Sequence, residues 1–379
     1  MKVALVHDWL TGMRGGERVL QSLCELFPTA DLFTLIHVPG SVTPTIERLK
    51  ITPSFLQYIP FIQHTYRNFL PLFPFAIGRF KLSGYDLILS SSHCVAKGIT
   101  HTPETCHISY VHTPMRYAWD LYSTYLSAQK TWFTRMGMRL CMPSLRRWDV
   151  ASSTRIDYWI ANSCHVAERI KRLYQKEAKV IHPPVDIKGV TPSHDHDDFY
   201  LMVTALVPYK RVDIAIHTFT KLRKPLVIIG SGPDDALLRQ TAGPTIKFMG
   251  WQGDDVVRTY YQRCRALVLP GLEDFGIVPV EAMAAGKAII AYQAGGVMET
   301  VIPLSNGTQN QHPPTGILFP DQSVSSLSQA IETFEANESA FAPDAIGEHA
   351  QRFNTTVFQT HINALISQWY EEFTRNRQC

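Results

Sequence analysis

Two glutamates, Glu273 and Glu281, lie eight positions apart in the segment E-D-F-G-I-V-P-V-E. The apolar run before them and the small-residue run after them predict a strand, a loop and a helix. Because a turn separates the two carboxylates, their spacing suits two contacts with one extended ligand better than an acid–base pair. Carboxylates accept hydrogen bonds from the neighbouring hydroxyls of sugars and ribose. The N–H groups at the expected helix start, those of Gly276, Ile277 and Val278, could bind a phosphate or sugar oxygen.

Two further strand-to-helix passages carry residues suited to a phosphate. Gly15 and Gly16 open a helical pattern, so their backbone N–H groups could approach an anion, although a tight turn explains the two glycines equally well. Lys210 and Arg211 follow another strand, where adjacent cations suit a diphosphate, and a solvated helix start is the alternative. No glycine loop has the G-x-G-x-x-G spacing of dinucleotide-binding enzymes. This disfavours an oxidoreductase.

The elements that must position these residues form two series. A chain of 379 residues exceeds the roughly 250 to 300 residues at which one core usually stops growing. Apolar runs that read as strands lie at 3–6, 86–90, 108–111, 158–161, 199–203, 225–230, 246–250, 266–270 and 288–292. Because they alternate with helical patterns, they predict parallel sheets covered on both faces, with ligands at the carboxyl ends of the strands. A proline-rich and charged stretch predicts a linker at 186–198 between domains 1–185 and 199–356. Apolar periodicity predicts a final helix over about 357–379. We therefore predict an α/β protein with two doubly wound domains.

The two halves of the chain differ in charge. Residues 1–190 carry 22 Lys+Arg against 13 Asp+Glu, a net charge of +9, which leaves 14 against 20, or −6, for the remainder. A basic half suits an anionic partner such as a phosphate or a membrane surface, and a solvated surface without a partner is the alternative. Two aromatic stretches in this half, 54–82 and 130–148, have cationic but no anionic residues. They are typical of helix-to-sheet packing or of docking to an anionic membrane.

The spacing of the cysteines and the hydropathy of the sequence indicate the cellular compartment in which we expect the protein. The seven cysteines include no C-x-x-C pair, which predicts neither a disulfide framework nor a structural zinc site. The chain has no apolar run of the roughly 18 residues that would span a bilayer. We expect a cytoplasmic protein, with peripheral attachment to the inner face of the membrane as the alternative to a fully soluble one. A nucleic acid is not an expected partner.

Taken together, these motifs resemble glycosyltransferase family 4. The E-x7-E pair, the downstream A-G-G-V-M-E (294–299) and the upstream L-V-P-Y-K-R (206–211) occur in the family's order, and the resemblance covers nearly the whole chain. Segments 110–120 and 160–170 are similar to a mannosyltransferase-like branch found in bacterial polysaccharide assembly. The resemblance implies the GT-B fold, two Rossmann-like domains facing across a cleft, with the final helix packing back on the first. It also implies transfer from a nucleotide-sugar with retention of configuration and without a metal ion or other cofactor.

The resemblance further implies roles for single residues. Glu273 would bind the donor hexose beside the reacting carbon, and Glu281 would bind the ribose. Lys210, with Arg211, would bind the diphosphate. His112 matches the family's active-site histidine, although its sequence context fits a buried core histidine equally well.

One departure from the family affects the diphosphate site. Many members have an arginine before L-V-P-Y-K, where this chain has Ala205. Arg211 is the expected substitute. His93, Arg116 and Trp119, near strand ends of the first half, are expected on the acceptor side.

The resemblance implies front-face transfer of a hexose to a hydroxyl of a glycan or of a polyprenyl-diphosphate-linked saccharide, and its mannosyltransferase-like branch favours mannose from GDP-mannose. A UDP- or ADP-sugar donor is the alternative. An epimerase or phosphorylase of the same fold, and a catalytically inactive nucleotide-sugar-binding protein, are less favoured.

Overall fold

The structure, a computed structural model, describes residues 1–127, 131–305 and 312–378. Within these ranges the chain forms two compact units. The first contains residues 1–184 and the chain from Thr355 onward, and the second contains residues 185–354. Lys130, the first residue of the aromatic stretch 130–148, and Cys379, the last residue of the predicted final helix, lie outside the described residues. In sequence, the second unit is therefore an insertion into the first.

A parallel sheet forms the centre of the first unit. Its strands in the described residues are β1 (Val3–His7), β2 (Asp31–Thr34), β3 (Lys50–Pro53), β4 (Leu87–Ser92), β5 (Cys106–Val111), β6 (Tyr158–Ala161) and β7 (Lys179–Val180). Their order across the sheet is β3-β2-β1-β4-β5-β6-β7. Every residue of β1, β4 and β5 is buried, as expected of central strands covered on both faces.

Helices connect these strands. They are α1 (Gly15–Leu26), α2 (Pro44–Glu47), α3 (Ile62–Thr65), α4 (Phe73–Gly78), α5 (Tyr122–Ser127), α6 (Trp132–Ser152) and α7 (Cys164–Tyr174). Short 3-10 helices lie at Phe55–Tyr58, Tyr66–Leu72, Ala96–Gly98 and Ser153–Arg155.

The second unit also contains a parallel sheet. Its described strands are β8 (Tyr200–Val203), β9 (Leu226–Ile229), β10 (Ile246–Gly250), β11 (Ala266–Leu269), β12 (Ala288–Tyr292) and β13 (Gly316–Phe319). Their order is β10-β9-β8-β11-β12-β13. The helices are α8 (Val212–Leu222), α9 (Asp235–Thr241), α10 (Asp254–Arg263), α11 (Ile277–Ala284), α12 (Val297–Thr300), α13 (Val324–Ala336) and α14 (Pro343–Ala350), with 3-10 helices at Pro208–Lys210, Glu338–Ala340 and Gln351–Phe353.

The last helix, α15 (Thr355–Gln378), returns to the first unit. Its apolar face joins the core cluster that includes α1 and the central strands, through Phe358, Ile362, Ile366 and Trp369. The ring of Trp369 stacks on that of Tyr158 in β6, with centroids 4.8 Å apart.

The stretch expected to be a linker, 186–198, is part of the second unit. The ammonium of Lys287 donates to the carbonyls of Ser193 and Asp195 at 3.1 and 2.8 Å. These bonds tie the stretch to the loop before β12.

The strand order of each sheet reverses at one neighbouring pair, β1 and β4 in the first sheet and β8 and β11 in the second. At such a pair the following loops turn to opposite sides, which leaves a crevice at the carboxyl ends of the strands. The predicted α/β fold with two parallel sheets is confirmed.

Candidate active site

The loops after β8 and β11 carry two of the predicted residues to the reversal point of the second sheet. Lys210 ends the 3-10 helix that follows β8, and Glu273 lies in the loop after β11. The Lys210 ammonium and the Glu273 carboxylate form an ion pair. Their side chains are only 15% and 16% exposed, so solvent and salt screen this attraction less than that of a surface pair. Lys210, which is predicted to bind the diphosphate, and Glu273, which is predicted to bind the hexose, are therefore in direct contact.

Helix α11 begins beside Glu273. Gly276 has a φ of +94°, in the left-handed region that glycine adopts without strain, and it turns the chain into the helix. A Cβ atom on Gly276 would lie 3.8 Å from the Cβ of Glu273. The N–H groups of Ile277 and Val278 belong to the first turn, where the helix itself supplies no acceptor. They place a partial positive charge next to the ion pair.

Backbone contacts with the A-G-G segment hold the Glu273 loop. The N–H of Gly296 donates to the carbonyl of Glu273 at 2.9 Å. A Cβ atom on Gly295 would lie 2.2 Å from that oxygen, and one on Gly296 would lie 2.3 Å from the Cα of Phe275. A larger residue at either position would displace the loop. These glycines therefore fix the backbone from which the Glu273 side chain extends.

Glu281 lies one turn into α11 and is half-buried. The hydroxyl of the buried Tyr261 donates to its Oε2 at 2.9 Å. Burial and the neighbouring carboxylate raise the pKa of Tyr261 well above its usual range, so the phenol keeps its proton and remains a donor. This bond orients the Glu281 carboxyl. Its contact with a ribose stays a prediction.

Arg211 is engaged by its own helix. Its Nε and Nη2 donate to the two carboxylate oxygens of Asp213 at 3.1 and 3.0 Å. A guanidinium paired in this way must share or break that pair to bind a phosphate, which weakens it as a ligand. Ala205, two residues after β8, is exposed. Lys210, and not Arg211, is the predicted cation that lies beside Glu273.

His112 and the glycine loop meet at the carboxyl edge of the first sheet. His112 follows β5, and Gly15 and Gly16 are the first residues of α1. A Cβ atom on Gly16 would lie 3.5 Å from the His112 Nε2 and 3.5 Å from the His7 Cε1. These are ordinary contact distances, so packing alone does not require glycine there. Burial, with the neighbouring His93 and His7, lowers the pKa of His112 well below its usual value, which keeps the ring neutral.

His93 belongs to the same edge. Its Nδ1 lies 3.2 Å from Oδ2 of the fully buried Asp8, and 27% of its side chain is exposed. Burial is the main reason why the pKa of His93 is lowered, although Asp8 opposes the shift. Arg116 is half-buried in the turn after β5.

Trp119, the third residue expected on the acceptor side, belongs to a buried network. Its Nε1 donates to Oδ2 of Asp149 at 2.8 Å. Asp149 is fully buried and pairs with Lys97 at 2.7 Å. The indole N–H is therefore engaged in the core, and the guanidinium of Arg146 lies over the ring, 5.4 Å from its centroid. The acceptor contact of Trp119 stays a prediction.

Four polar residues of the first unit were not identified from the sequence. They are buried at the carboxyl ends of β1 and β4 or in the first turn of α1: His7, Asp8, Glu17 and Ser91. Asp8 accepts hydrogen bonds from the N–H groups of residues 93–96 at 2.7 to 2.9 Å. The signal that could have found His7 and Asp8 is V-H-D, a histidine and an aspartate at the end of a buried strand. In the described ranges, no group of three or more His, Cys, Asp or Glu side chains could hold a metal ion.

The two aromatic stretches of the first half expose apolar side chains. In 54–82 the exposed apolar residues are Phe55, Tyr58, Phe61, Leu72 and Phe75, and in α6 they are Trp132, Phe133, Met136, Leu140 and Val150. Trp132 and Phe133, at the start of α6, are 64% and 68% exposed. As far as the structure describes the chain, it has no helix with both the length and the apolar character needed to cross a membrane.

Comparison with known proteins finds a family model and several relatives that match the second unit or parts of the chain. Residues 186–355 match the family model described as glycosyl transferases group 1. O-antigen chain mannosyltransferase C from Escherichia coli is 26% identical over 235 residues, which is 57% of this chain and 59% of that protein. A GDP-mannose-dependent alpha-(1-6)-phosphatidylinositol monomannoside mannosyltransferase from Mycobacterium tuberculosis is 29% identical over 147 residues, or 34% of this chain and 36% of that protein. The chain thus aligns with less than two thirds of the length of each relative.

Solved structures share the fold of the whole chain. HepE from Anabaena, solved in complex with UDP, superposes with a TM-score of 0.71 at 17% identity, covering 97% of this chain and all of that one. This likeness confirms the predicted GT-B fold. The family match shows that residues 186–355 are similar to the group 1 glycosyl transferases.

Proposed function

We propose that the protein is a retaining hexosyltransferase that moves mannose from GDP-mannose to a hydroxyl of a glycan or lipid-linked saccharide. The observation that carries the proposal is the contact of Lys210 with Glu273 beside the start of α11. A cation and a helix N-terminus suit a diphosphate, and a neighbouring carboxylate suits sugar hydroxyls.

In the proposed reaction, the acceptor oxygen attacks the anomeric carbon while the bond from that carbon to the diphosphate breaks. The acceptor proton passes to the departing phosphate oxygen, so the products are the new glycoside and the nucleoside diphosphate. Lys210 and the N–H groups of Ile277 and Val278 stabilise the charge that grows on the diphosphate. Glu273 holds the hexose at the face where the acceptor enters. His112 is assigned to the same sugar by the family resemblance.

This route needs neither a metal ion nor a strong protein base, because the leaving group supplies the base. We expect transfer to persist after treatment with EDTA. The anomeric configuration of the product, read by NMR from its first appearance, tests retention. An inverted product would contradict the proposal.

The donor is proposed from the relatives. Two of them are mannosyltransferases by name, and one is described as GDP-mannose-dependent. A UDP-sugar is the second candidate, because HepE was solved with UDP. Thermal-shift measurements with GDP, UDP and ADP and their sugars separate the two, since a ligand at about 100 times its Kd stabilises the folded state by about 2.7 kcal/mol.

We also propose that the first unit docks on an anionic membrane that carries a lipid-linked acceptor. The exposed side chains of α6 are mainly apolar or cationic, and the helix has a single acidic residue, the buried Asp149. An apolar surface bordered by arginines suits an interface with anionic lipids. Sedimentation with anionic and with neutral vesicles tests this, and binding should weaken as the salt concentration rises.

The decisive experiment is a transfer assay with the full chain. Radiolabelled GDP-mannose, UDP-glucose and ADP-glucose are each offered with a mixture of lipid-linked and free saccharides. We expect transfer of mannose. Transfer only from a UDP-sugar would replace the donor, and hydrolysis or epimerisation without transfer would overturn the proposed reaction.

A further inference from the structure

Three histidines cluster at the point where the strand order of the first sheet reverses. His7 ends β1, His93 follows β4 and His112 follows β5. Their ring centroids are 6.1 to 6.4 Å apart. Because His7 is fully buried, bulk water cannot hydrogen-bond to either of its ring nitrogens.

One hydroxyl connects two of these rings. Ser91 Oγ lies 3.1 Å from Nδ1 of His7 and 2.8 Å from Nε2 of His112. A hydroxyl has one proton to donate. If Ser91 donates to one ring, the other ring must donate its own N–H to the Ser91 oxygen. The protonation sites of the two histidines are therefore coupled.

The other side of His7 faces a carboxylate. His7 Nε2 has no hydrogen-bond partner in the described residues, and the nearest acidic oxygen is Oε1 of Glu17 at 3.7 Å. The second oxygen of Glu17 accepts the N–H of Arg14, in the glycine loop, at 3.1 Å. Burial alone would raise the pKa of Glu17, but its interactions with His7, together with His93 and a backbone hydrogen bond, outweigh burial and lower it. Glu17 is thus an anion that attracts a proton to Nε2 of His7.

The other groups around the cluster do not compete for these protons. Asp8 is occupied by four backbone N–H groups and by His93. Tyr110 packs 5.2 Å from the His112 ring, and its hydroxyl donates to the carbonyl of Ile181 at 2.8 Å. Glu17 therefore determines the direction in which the hydrogen bonds between His7, Ser91 and His112 run.

We propose that Glu17, His7 and Ser91 form a relay that holds His112 as its Nε2–H tautomer and leaves Nδ1 of His112 as an acceptor for a ligand hydroxyl. With a proton on Nε2, His7 accepts the Ser91 hydroxyl at Nδ1, and the Ser91 oxygen accepts from Nε2 of His112. Glu17, His7 and Ser91 are positioning residues. Only the identification of that hydroxyl as one of the donor sugar rests on the proposed function.

The test reads the tautomer directly in the full chain with ¹⁵N-labelled histidine. Long-range ¹H–¹⁵N correlation distinguishes protonated from bare ring nitrogens, and His112→Gln identifies the His112 signals. We expect Nε2–H in the wild type. Glu17→Gln should shift both His7 and His112 towards Nδ1–H, and Ser91→Ala should give a mixture of His112 tautomers. Ser90→Ala is the matched control, because Ser90 contacts His107 instead, at 2.8 Å.

The kinetic arm measures kcat for sugar transfer in the same variants. Loss of the tautomer bias should lower kcat about tenfold, the effect of one net hydrogen bond, while the donor Kd changes little. An Nδ1–H tautomer in the wild type would overturn the relay, and so would His112 signals that both variants leave unchanged. Absence of any transfer activity would defeat the proposed function, while the NMR result would still decide the relay.

Discussion

The ammonium of Lys210 lies against the carboxylate of Glu273, so that the loops after two neighbouring strands, β8 and β11, are joined by opposite charges. The pair is largely shielded from solvent, and the start of α11 lies beside it. A donor diphosphate would bring a second anion to Lys210. Lys210 would then be shared between Glu273 and the phosphate. The carboxylate that is proposed to bind the hexose and the leaving group would therefore both contact one cation.

Replacing Glu273 with alanine should reduce transfer at least about a hundredfold, because it removes the proposed hexose contact and leaves Lys210 without its partner. The free energy of unfolding should fall by about 1 to 3 kcal/mol, which leaves the fold intact. Steady-state kinetics and urea unfolding measure the two effects. Glu332→Ala, at an exposed position of α13, is the control. Transfer at the wild-type rate would remove Glu273 from the mechanism.

Lys210 and Arg211 should differ in their effects on nucleotide binding. Lys210→Ala should weaken the affinity for the nucleoside diphosphate about tenfold or more, whereas Arg211→Ala should change it less, since Arg211 is already paired with Asp213. Ala205→Arg, at an exposed site, should tighten binding if it supplies the cation that the resemblance to glycosyltransferase family 4 leads us to expect there. Isothermal titration with GDP and UDP compares the three variants. Equal losses for Lys210→Ala and Arg211→Ala would assign the diphosphate to both cations.

Glu281 should act on the nucleoside part of the donor. We expect Glu281→Gln to weaken the binding of the nucleoside diphosphate and the free nucleoside monophosphate by similar factors, about tenfold, because the ribose is common to both. Tyr261→Phe, which removes only the hydrogen bond that orients the carboxyl, should have a smaller effect of the same kind. Unchanged affinity for both ligands would place the ribose elsewhere.

The start of α6 should contribute to membrane binding. Trp132→Ala combined with Phe133→Ala removes two side chains that are 64% and 68% exposed, so the fold should be unaffected. We expect cosedimentation with anionic vesicles to fall several-fold at low salt. Leu237→Ala, which removes a side chain of the second unit that is 64% exposed, is the matched control. Equal sedimentation of both variants would show that α6 does not bind lipid.

Acid should destabilise the first unit through buried histidines. Burial lowers the pKa of His107 from 6.5 to about 3. Between these values the unfolded chain binds a proton that the folded chain does not, so the free energy of unfolding falls as the pH falls, by up to about 1.4 kcal/mol per pH unit. The contribution of His107 to the free energy of unfolding is fully present above pH 6.5 and is lost as the pH falls towards 3. The same direction applies to His93 and His112.

Urea unfolding followed by tryptophan fluorescence at about pH 7 and pH 5 measures this effect, because the first unit contains every tryptophan except Trp251. His107→Gln should lower stability at both values by removing hydrogen bonds to Ser90 and Arg155, but its loss on acidification should be smaller than that of the wild type. His64→Gln, at an exposed site, should behave as the wild type. A pH dependence unchanged by His107→Gln would contradict the argument.

The central strands could be predicted because burial on both faces makes them continuously apolar. Segments 158–161 and 288–292 were predicted with the bounds that β6 and β12 have in the structure. The edge strand β10 (246–250) was also predicted with its observed bounds, although its residues are only half-buried or exposed. The strands that were missed are β2, β3, β7 and β13. β3 is half exposed at the edge of its sheet, and β7 has only two residues, so neither shows the apolar run that identifies a strand.

In the candidate site, too, some features could be predicted from the sequence and others could not. Glu273, Gly276 and Lys210 were identified because strand, loop and helix follow one another along the chain, and such local order is visible in sequence. The partners of those residues were not. The pairing of Arg211 with Asp213 was not predicted, because two nearby charges in a sequence do not specify the geometry of their side chains. His7 and Ser91, 84 positions apart, meet only because β1 and β4 are neighbours in the sheet.

The position of α15 also bears on how the protein is made. Its residues complete the core of the first unit, yet the ribosome must synthesise the whole second unit before it reaches them. The nascent N-terminal segment therefore waits with part of its apolar surface uncovered, where a chaperone would bind it. The first unit therefore cannot complete its core until all of the second unit has been synthesised.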